Sequence, residues 1–308
     1  MEQRLDAVIQ LADGRYLGFS RFGLESAMPV LMFHGTPGSR YFAFSAGTPL
    51  DDGRLQVILP ERPGYGLSTA QPNRSMLDWV DDILQLADSL GFAQFHLLGL
   101  SGGGPYALAC AQQIPQRVLS VILVASVAPL SITRLRQSMP LSNKLAYSVA
   151  RFVPLAIELN FRFNRYSLFH RPEIYLGKLF TQLSDWDEAL LQDPAKQALF
   201  LQHMREAYRN GIRGAVSDIQ LLMQPWGFNL SDIQTPVRLW QGELDTMVPP
   251  AMGRYLAEQL PNCKAEFIAE VGHLLFLDNR YMQAALSAIC QDRSVKKTTS
   301  ELESLISV

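Results

Sequence analysis

Cysteine is scarce in this 308-residue chain: Cys110, Cys263 and Cys290 are the only three. They are too few and too scattered for a disulfide framework, and no Cys-x-x-Cys pair offers a zinc or dithiol redox site. Histidine is nearly as sparse, at five residues, which leaves few candidates for a proton-transfer base. An excess of one charge is also missing. Lys+Arg is 27 against 29 Asp+Glu, for a net −2, so composition makes no case for nucleic acid as a partner. Long apolar runs are absent as well. The longest stretch, around 118–130, is broken by Ser120, Ser126 and Pro129, short of the ~18 uninterrupted residues that a spanning helix needs. The start of the chain shows no apolar run ahead of a small-residue cleavage site. A reduced, cytoplasmic setting is therefore the expectation.

What is present is globular composition, 48% hydrophobic and 18% charged, in a length that fits two domains or one large domain with an insertion. Ala7–Leu11 and Tyr16–Phe22, separated by the turn signal Ala-Asp-Gly-Arg, predict a hairpin. Val30–Phe33, Leu55–Leu59, Phe95–Leu100 and Val118–Ala125 are short apolar runs of the kind that form buried parallel strands. Ser75–Leu90 has helical spacing and stops at Gly91; Pro105–Gln113 also reads as helix. This alternation predicts a mostly parallel sheet, of the eight-stranded kind, with helices on both faces. It pauses near residue 129, and only helical segments are expected to about 225. Strand Pro236–Gln241, helix Pro250–Leu260, strand Ala265–Ala269 and helix Asn279–Cys290 then follow. The expected division is an α/β core over 1–129 and 226–290, a helical cap over 130–225, and a polar tail over 291–308. Within that tail, Glu301–Val308 is expected as a short amphipathic helix. No internal repeat is visible.

Gly99-Leu100-Ser101-Gly102-Gly103 fits Gly-x-Ser-x-Gly, with an apolar strand before it and a small-residue helix after it. A tight strand-to-helix turn exposes the serine hydroxyl at the carboxyl edge of the sheet and aims helix N-terminal amides at a developing oxyanion. Such a nucleophile needs an acid and then a histidine at later strand ends. His273, in Val-Gly-His-Leu-Leu, follows the last strand, and Asp245, in Gly-Glu-Leu-Asp, follows the one before. The expected catalytic residues are Ser101, Asp245 and His273, with Glu243 as a competing acid.

These motifs resemble the α/β-hydrolase superfamily over nearly the whole chain to about residue 290. The likeness extends to His34-Gly35 after the third strand and to Arg62-Pro63-Gly64-Tyr65-Gly66-Leu67-Ser68. It implies the α/β-hydrolase fold, an oxyanion hole made by the amides of Thr36 and Gly102, and a cap that re-enters the core near Pro-Trp-Gly-Phe at 225–228. Serine at 101 departs from the epoxide hydrolase and haloalkane dehalogenase branches, which use an aspartate there. Gly-Leu-Ser-Gly-Gly departs from the Gly-Gly-Ser-Trp-Gly of prolyl aminopeptidases. Thr36 replaces the usual glycine after His-Gly. His34 is expected to brace the oxyanion loop, His96 to be structural, and Cys110 to be a small core residue; His170 and His203 lack metal-ligand spacing. No dinucleotide or phosphate-loop motif is present, so no cofactor or metal is implied.

The expected activity is hydrolysis of a small-molecule carboxylic ester. One rival is an aminopeptidase or amidase, which would need a cap acid such as Glu158, Glu173 or Glu206 for a substrate ammonium. The other is a ligand-binding, receptor-like protein that turns over slowly. The segment 131–225 carries 12 Lys+Arg against 8 Asp+Glu, and 131–170 adds six aromatics: Tyr147, Phe152, Phe161, Phe163, Tyr166 and Phe169. An ordinary cap with packed aromatics and solvated charges is expected there; a lid touching anionic lipid is the alternative.

Overall fold

The structure, a computed structural model, describes residues 4–42, 53–139 and 154–290. Strands β1 (Leu5–Gln10) and β2 (Tyr16–Phe22) pair antiparallel about the turn at Gly14, as the Ala-Asp-Gly-Arg turn signal predicts. Then come β3 (Met28–Phe33), β4 (Leu55–Pro60), α1 (Asp78–Ser89) and β5 (Phe95–Leu100). A single 3-10 turn, Ser101–Gly103, leads into α2 (Gly104–Gln113), which β6 (Val118–Val124) follows.

The helices α3 (Thr133–Gln137), α4 (Pro154–His170), α5 (Pro172–Phe180), α6 (Asp185–Leu191), α7 (Pro194–Ala207) and α8 (Arg213–Leu222) then separate β6 from β7 (Val237–Gly242). Among the described residues this insertion holds no strand. The chain closes with α9 (Pro250–Gln259), β8 (Cys263–Ile268) and α10 (Asn279–Cys290). Tyr147, Phe152 and the 291–308 tail lie outside the described residues.

The eight strands run in the order β1-β2-β4-β3-β5-β6-β7-β8. The first two are antiparallel to their neighbours; the rest are parallel. Every residue of β4 and β5 is buried, because helices cover both faces and leave no solvated side to mark with polar residues. Alternate side chains sort to opposite faces. Leu31 and Phe33 of β3 join one core with Trp79 of α1, Tyr106 of α2 and Met252 of α9. Val30 and Met32 join the other with Phe161 of α4, Phe200 of α7 and Met282 of α10. Trp226 returns to the first of these cores and packs 5.8 Å from Phe228.

Several element limits differ from expectation: β1 and β3 each start two residues early, at Leu5 and Met28. Helix α1 starts at Asp78 rather than Ser75, because the Ser75 hydroxyl and amide both donate to the Asp78 carboxylate ahead of the first helical turn. Strand β8 starts two residues early because Cys263 is in register with Val237 of β7. No described helix is long and apolar enough to cross a membrane. Helix α4 is apolar on both sides: Phe161 and Leu168 are buried, while Leu159, Phe163, Tyr166 and Phe169 are exposed.

Candidate active site

Parallel strands end at one edge of the sheet, and loops leaving that edge bring distant residues together. Ser101 leaves β5, Asp245 lies just past β7, and His273 lies just past β8. Ser101 has a backbone φ of +51°, a conformation that L residues rarely adopt and that the surrounding turn must enforce. The turn leaves little room for side chains. A Cβ on Gly99 would meet the Cα of Gly104 at 2.6 Å, and one on Gly102 would meet the Thr36 hydroxyl at 2.5 Å.

His273 and Asp245 are in contact. The His273 Nδ1 and Asp245 Oδ2 are 2.8 Å apart, and both residues are buried. Asp245 also accepts from Gln241 Nε2 (3.0 Å) and from the amides of Met247 (2.9 Å) and Val248 (2.7 Å). That set of donors holds the carboxylate, so Nδ1 is the protonated nitrogen and Nε2 is left bare. Burial lowers the His273 pKa, but the charge and hydrogen bond of Asp245, with Asp187 behind them, raise it further, for a net rise above 6.5. Glu243 is elsewhere: it faces solvent and pairs with Arg254 at 2.6 Å.

Ser101 and His273 line the same cavity, of about 630 Å³, which extends under the inserted helices. No direct hydrogen bond joins the Ser101 hydroxyl to His273; such contacts commonly tighten only with substrate bound. Gly35 and Thr36 form another part of the wall.

The loop carrying Thr36 is set by residues that the sequence did not single out for this task. Arg62 is completely buried and donates to the carbonyls of His34 (2.6 Å) and Gly35 (2.8 Å). The Gly35–Thr36 peptide is planar and trans, so drawing its carbonyl toward Arg62 turns the Thr36 N–H the opposite way. No described residue accepts from that N–H. The Gly102 N–H belongs to the first turn of a helix, where intrahelical acceptors are lacking.

Arg62 is itself held by Asp218 of α8, at 2.9 Å from Nε and 2.7 Å from Nη2. The same carboxylate accepts from Thr36 Oγ1 (2.9 Å), Tyr65 (3.0 Å), Tyr106 (2.8 Å) and Arg74. Burial raises the Asp218 pKa, but the two guanidinium groups pull it well below the usual carboxylate range. This cluster ties the insertion to the core. Gly64, at φ +87°, lets the loop and helix touch there: a Cβ on it would lie 2.8 Å from the Gly214 amide.

A second tie reaches the histidine loop. Asp187 of α6 accepts from the amides of His273 (3.0 Å) and Leu274 (2.6 Å). Ser184-x-x-Asp187 is legible as a capping box, and the structure holds one; that its acid also grips the His273 loop carries no sequence signal.

The remaining histidines are accounted for. His34 is buried, takes the Arg62 amide on Nε2 (3.2 Å), and is held well below its ordinary pKa by burial and Arg62. His96 meets the Ser120 hydroxyl at 2.7 Å. His170 stacks on Tyr166. His203 meets the Ser39 hydroxyl at 2.9 Å, and burial lowers its pKa to about 3. Cys110 is buried, and burial raises its thiol pKa. Among the described residues no group of His, Cys, Asp and Glu is placed to hold a metal.

The three acids considered for a substrate ammonium are not in the cavity wall. Glu206 is taken by Arg40 at 2.6 Å, Glu158 pairs with Arg162, and Glu173 pairs with Arg171 on the surface. Among the described residues the wall contains no Asp or Glu, and Lys178 is its one permanently charged side chain.

Comparison with known proteins gives one family and several partial likenesses. Residues 28–280 match a family described as alpha/beta hydrolase fold. The uncharacterised hydrolase YcgS of Bacillus subtilis (strain 168) is 28% identical over 127 residues, 41% of this chain and 43% of that protein. The chain spans less than half the length of the first curated relatives it matches. A proline iminopeptidase of Clostridioides difficile (strain 630) is 22% identical over 262 residues, covering 82% of this chain and 86% of the relative. Among solved structures, a thermophilic esterase from Thermogutta terrifontis superposes with a TM-score of 0.67 at 20% identity, covering 95% of this chain and 99% of the other.

Proposed function

The chain belongs to the α/β-hydrolase fold family, and from that premise we propose that it is a serine hydrolase of carboxylic esters. The observation that carries the reading is the buried 2.8 Å contact between Asp245 and His273, the histidine that lines the same cavity as Ser101. In this mechanism the Ser101 hydroxyl adds to the ester carbonyl while its proton passes to His273 Nε2. Asp245 holds the tautomer and stabilises the imidazolium. The amides of Thr36 and Gly102 receive the negative oxygen of the tetrahedral intermediate, and a single such donor is worth about 10²–10³ in turnover. His273 returns the proton to the departing alcohol. Water then adds to the acyl-enzyme with His273 again as base, releasing the acid and restoring Ser101.

Relatives named proline iminopeptidase raise the aminopeptidase reading. The charge of the cavity speaks against it. A substrate ammonium would find no carboxylate among the described wall residues and would meet Lys178 instead. An ester needs no such partner.

The test is hydrolysis of chromogenic esters from acetyl to dodecanoyl by wild type and Ser101→Ala, beside amino-acyl amides. Ester turnover that is lost in the variant is expected. Faster cleavage of the amides would replace this reading with the peptidase one, and no turnover of either would end it.

A further inference from the structure

Lys178 presents an unusual environment for a lysine. It lies on α5 at the wall of the cavity and is half-buried. Its ammonium donates to Asn160 Oδ1 (2.6 Å) and Asn164 Oδ1 (2.7 Å). Those asparagines are four residues apart on α4 and so share one helix face, and both also line the cavity. Two neutral oxygens thus aim the ammonium without neutralising it, and a third proton remains for another acceptor.

Among the described residues no carboxylate pairs with the Lys178 ammonium. Burial alone lowers the Lys178 pKa, with no carboxylate opposing it. From 131 to 170 the sequence carries six basic residues and one acid, Glu158, and that acid is engaged by Arg162. A cation with no carboxylate partner among the described residues, held by two side-chain amides and standing 5.5 Å from the Phe163 ring centroid, sits in the wall of a largely apolar cavity, and neutral partners offset its desolvation only in part. It is a good receptor for an anionic group on a ligand.

We infer that Lys178, held by Asn160 and Asn164, recognises a carboxylate carried by the substrate at a distance from the bond that is cleaved. This rests on the hydrolase reading above and narrows it: the preferred substrates are half-esters of dicarboxylic acids, not esters of simple fatty acids.

The experiment compares monoethyl esters of C6–C10 dicarboxylic acids with ethyl esters of monocarboxylic acids of equal length, followed by acid release. For wild type the ratio of kcat/KM, half-ester over neutral ester, is expected to exceed about five at its best chain length, through KM, and to shrink with added salt. In Lys178→Met the ratio falls to about one; in Lys178→Arg it is retained. A wild-type ratio near one at every length, or a preference that survives Lys178→Met, overturns the inference while leaving the hydrolase reading intact. If neither ester is turned over, the hydrolase reading fails separately, and binding decides. Suberate should raise the melting temperature of Ser101→Ala but not of Ser101→Ala/Lys178→Met; equal shifts, or none in either, overturn the inference.

Discussion

The Thr36 hydroxyl donates a 2.9 Å hydrogen bond to Asp218, a carboxylate delivered by α8 from 182 residues further along the chain. The same carboxylate holds Arg62, and Arg62 holds the two successive carbonyls of His34 and Gly35 that precede Thr36. The threonine that replaces glycine after His-Gly therefore has a partner: its side chain anchors the loop and leaves its amide free for the proposed oxyanion role. Thr36→Val keeps the shape and removes the hydroxyl. A fall in kcat of about tenfold is expected with KM little changed, together with a loss of about 1–2 kcal/mol for the partner left unsatisfied. Thr36→Ser should restore both. Asp218→Asn leaves two buried guanidinium groups without their counter-charge and is expected to cost about 3–5 kcal/mol in urea unfolding.

Asp245 and Glu243 sit two residues apart past the same strand, yet they face different partners. Asp245→Asn is expected to cost about 10⁴ in kcat by giving His273 the wrong tautomer. Glu243→Gln should stay within twofold of wild type, since it breaks only an exposed pair with Arg254. Because Asp245 outweighs burial and raises the His273 pKa, the acidic limb of kcat/KM for wild type should fall above pH 6.5. Chromogenic ester assays across pH read both outcomes, and parity of the two variants would dismiss the assignment.

His203 gives a stability prediction with a definite sign. Burial lowers its folded pKa to about 3, so below pH 6.5 the unfolded chain takes up a proton that the folded chain refuses. Its contribution is complete above 6.5 and is lost as pH falls toward 3, at about 1.4 kcal/mol per pH unit. His34 acts in the same direction. Glu61 acts in the other: burial outweighs Arg40 and pushes it up to about 7, so its contribution falls as pH rises from 4.5 to 7. Comparing wild type with His203→Asn cancels both. The variant's stability from urea unfolding should change less steeply between pH 6.5 and 4.5, by about 1.4 kcal/mol per unit; identical slopes would place a titrating group elsewhere.

What the sequence made legible follows from how local each signal is. The buried strands β3 to β6 are short apolar runs bounded by Gly and Pro, and the turn at Ser101 is written in five consecutive residues. Their limits shift by two or three residues where a side chain decides, as Ser75 and Asp78 do at α1. Sequence order put Asp245 forward, but the feature that sets it apart from Glu243 was not legible, because it depends on a loop turning so that Asp245 takes the Met247 and Val248 amides. Arg62 was visible only as part of a Pro-Gly loop, and Asp218 as one polar residue in a helix. Their pairing spans 156 positions, and no periodicity encodes a contact that tertiary packing alone creates.

Asp187 is where the insertion touches the loop of His273, the proposed base. Its carboxylate takes the His273 and Leu274 amides and adds to the negative field that raises the His273 pKa. Asp187→Asn keeps the size and part of the hydrogen bonding but removes the charge. With a purely structural role, the variant would melt earlier and keep the wild-type pH profile in its folded fraction. With the electrostatic role argued from this geometry, the acidic limb of kcat/KM moves to lower pH, because a neighbour that favoured the imidazolium is gone. Asp187→Glu, which retains the charge, should leave the limb where it was even if turnover drops. The pH profile of the two variants therefore separates a carboxylate that merely holds a loop from one that also sets the basicity of the histidine that the loop presents.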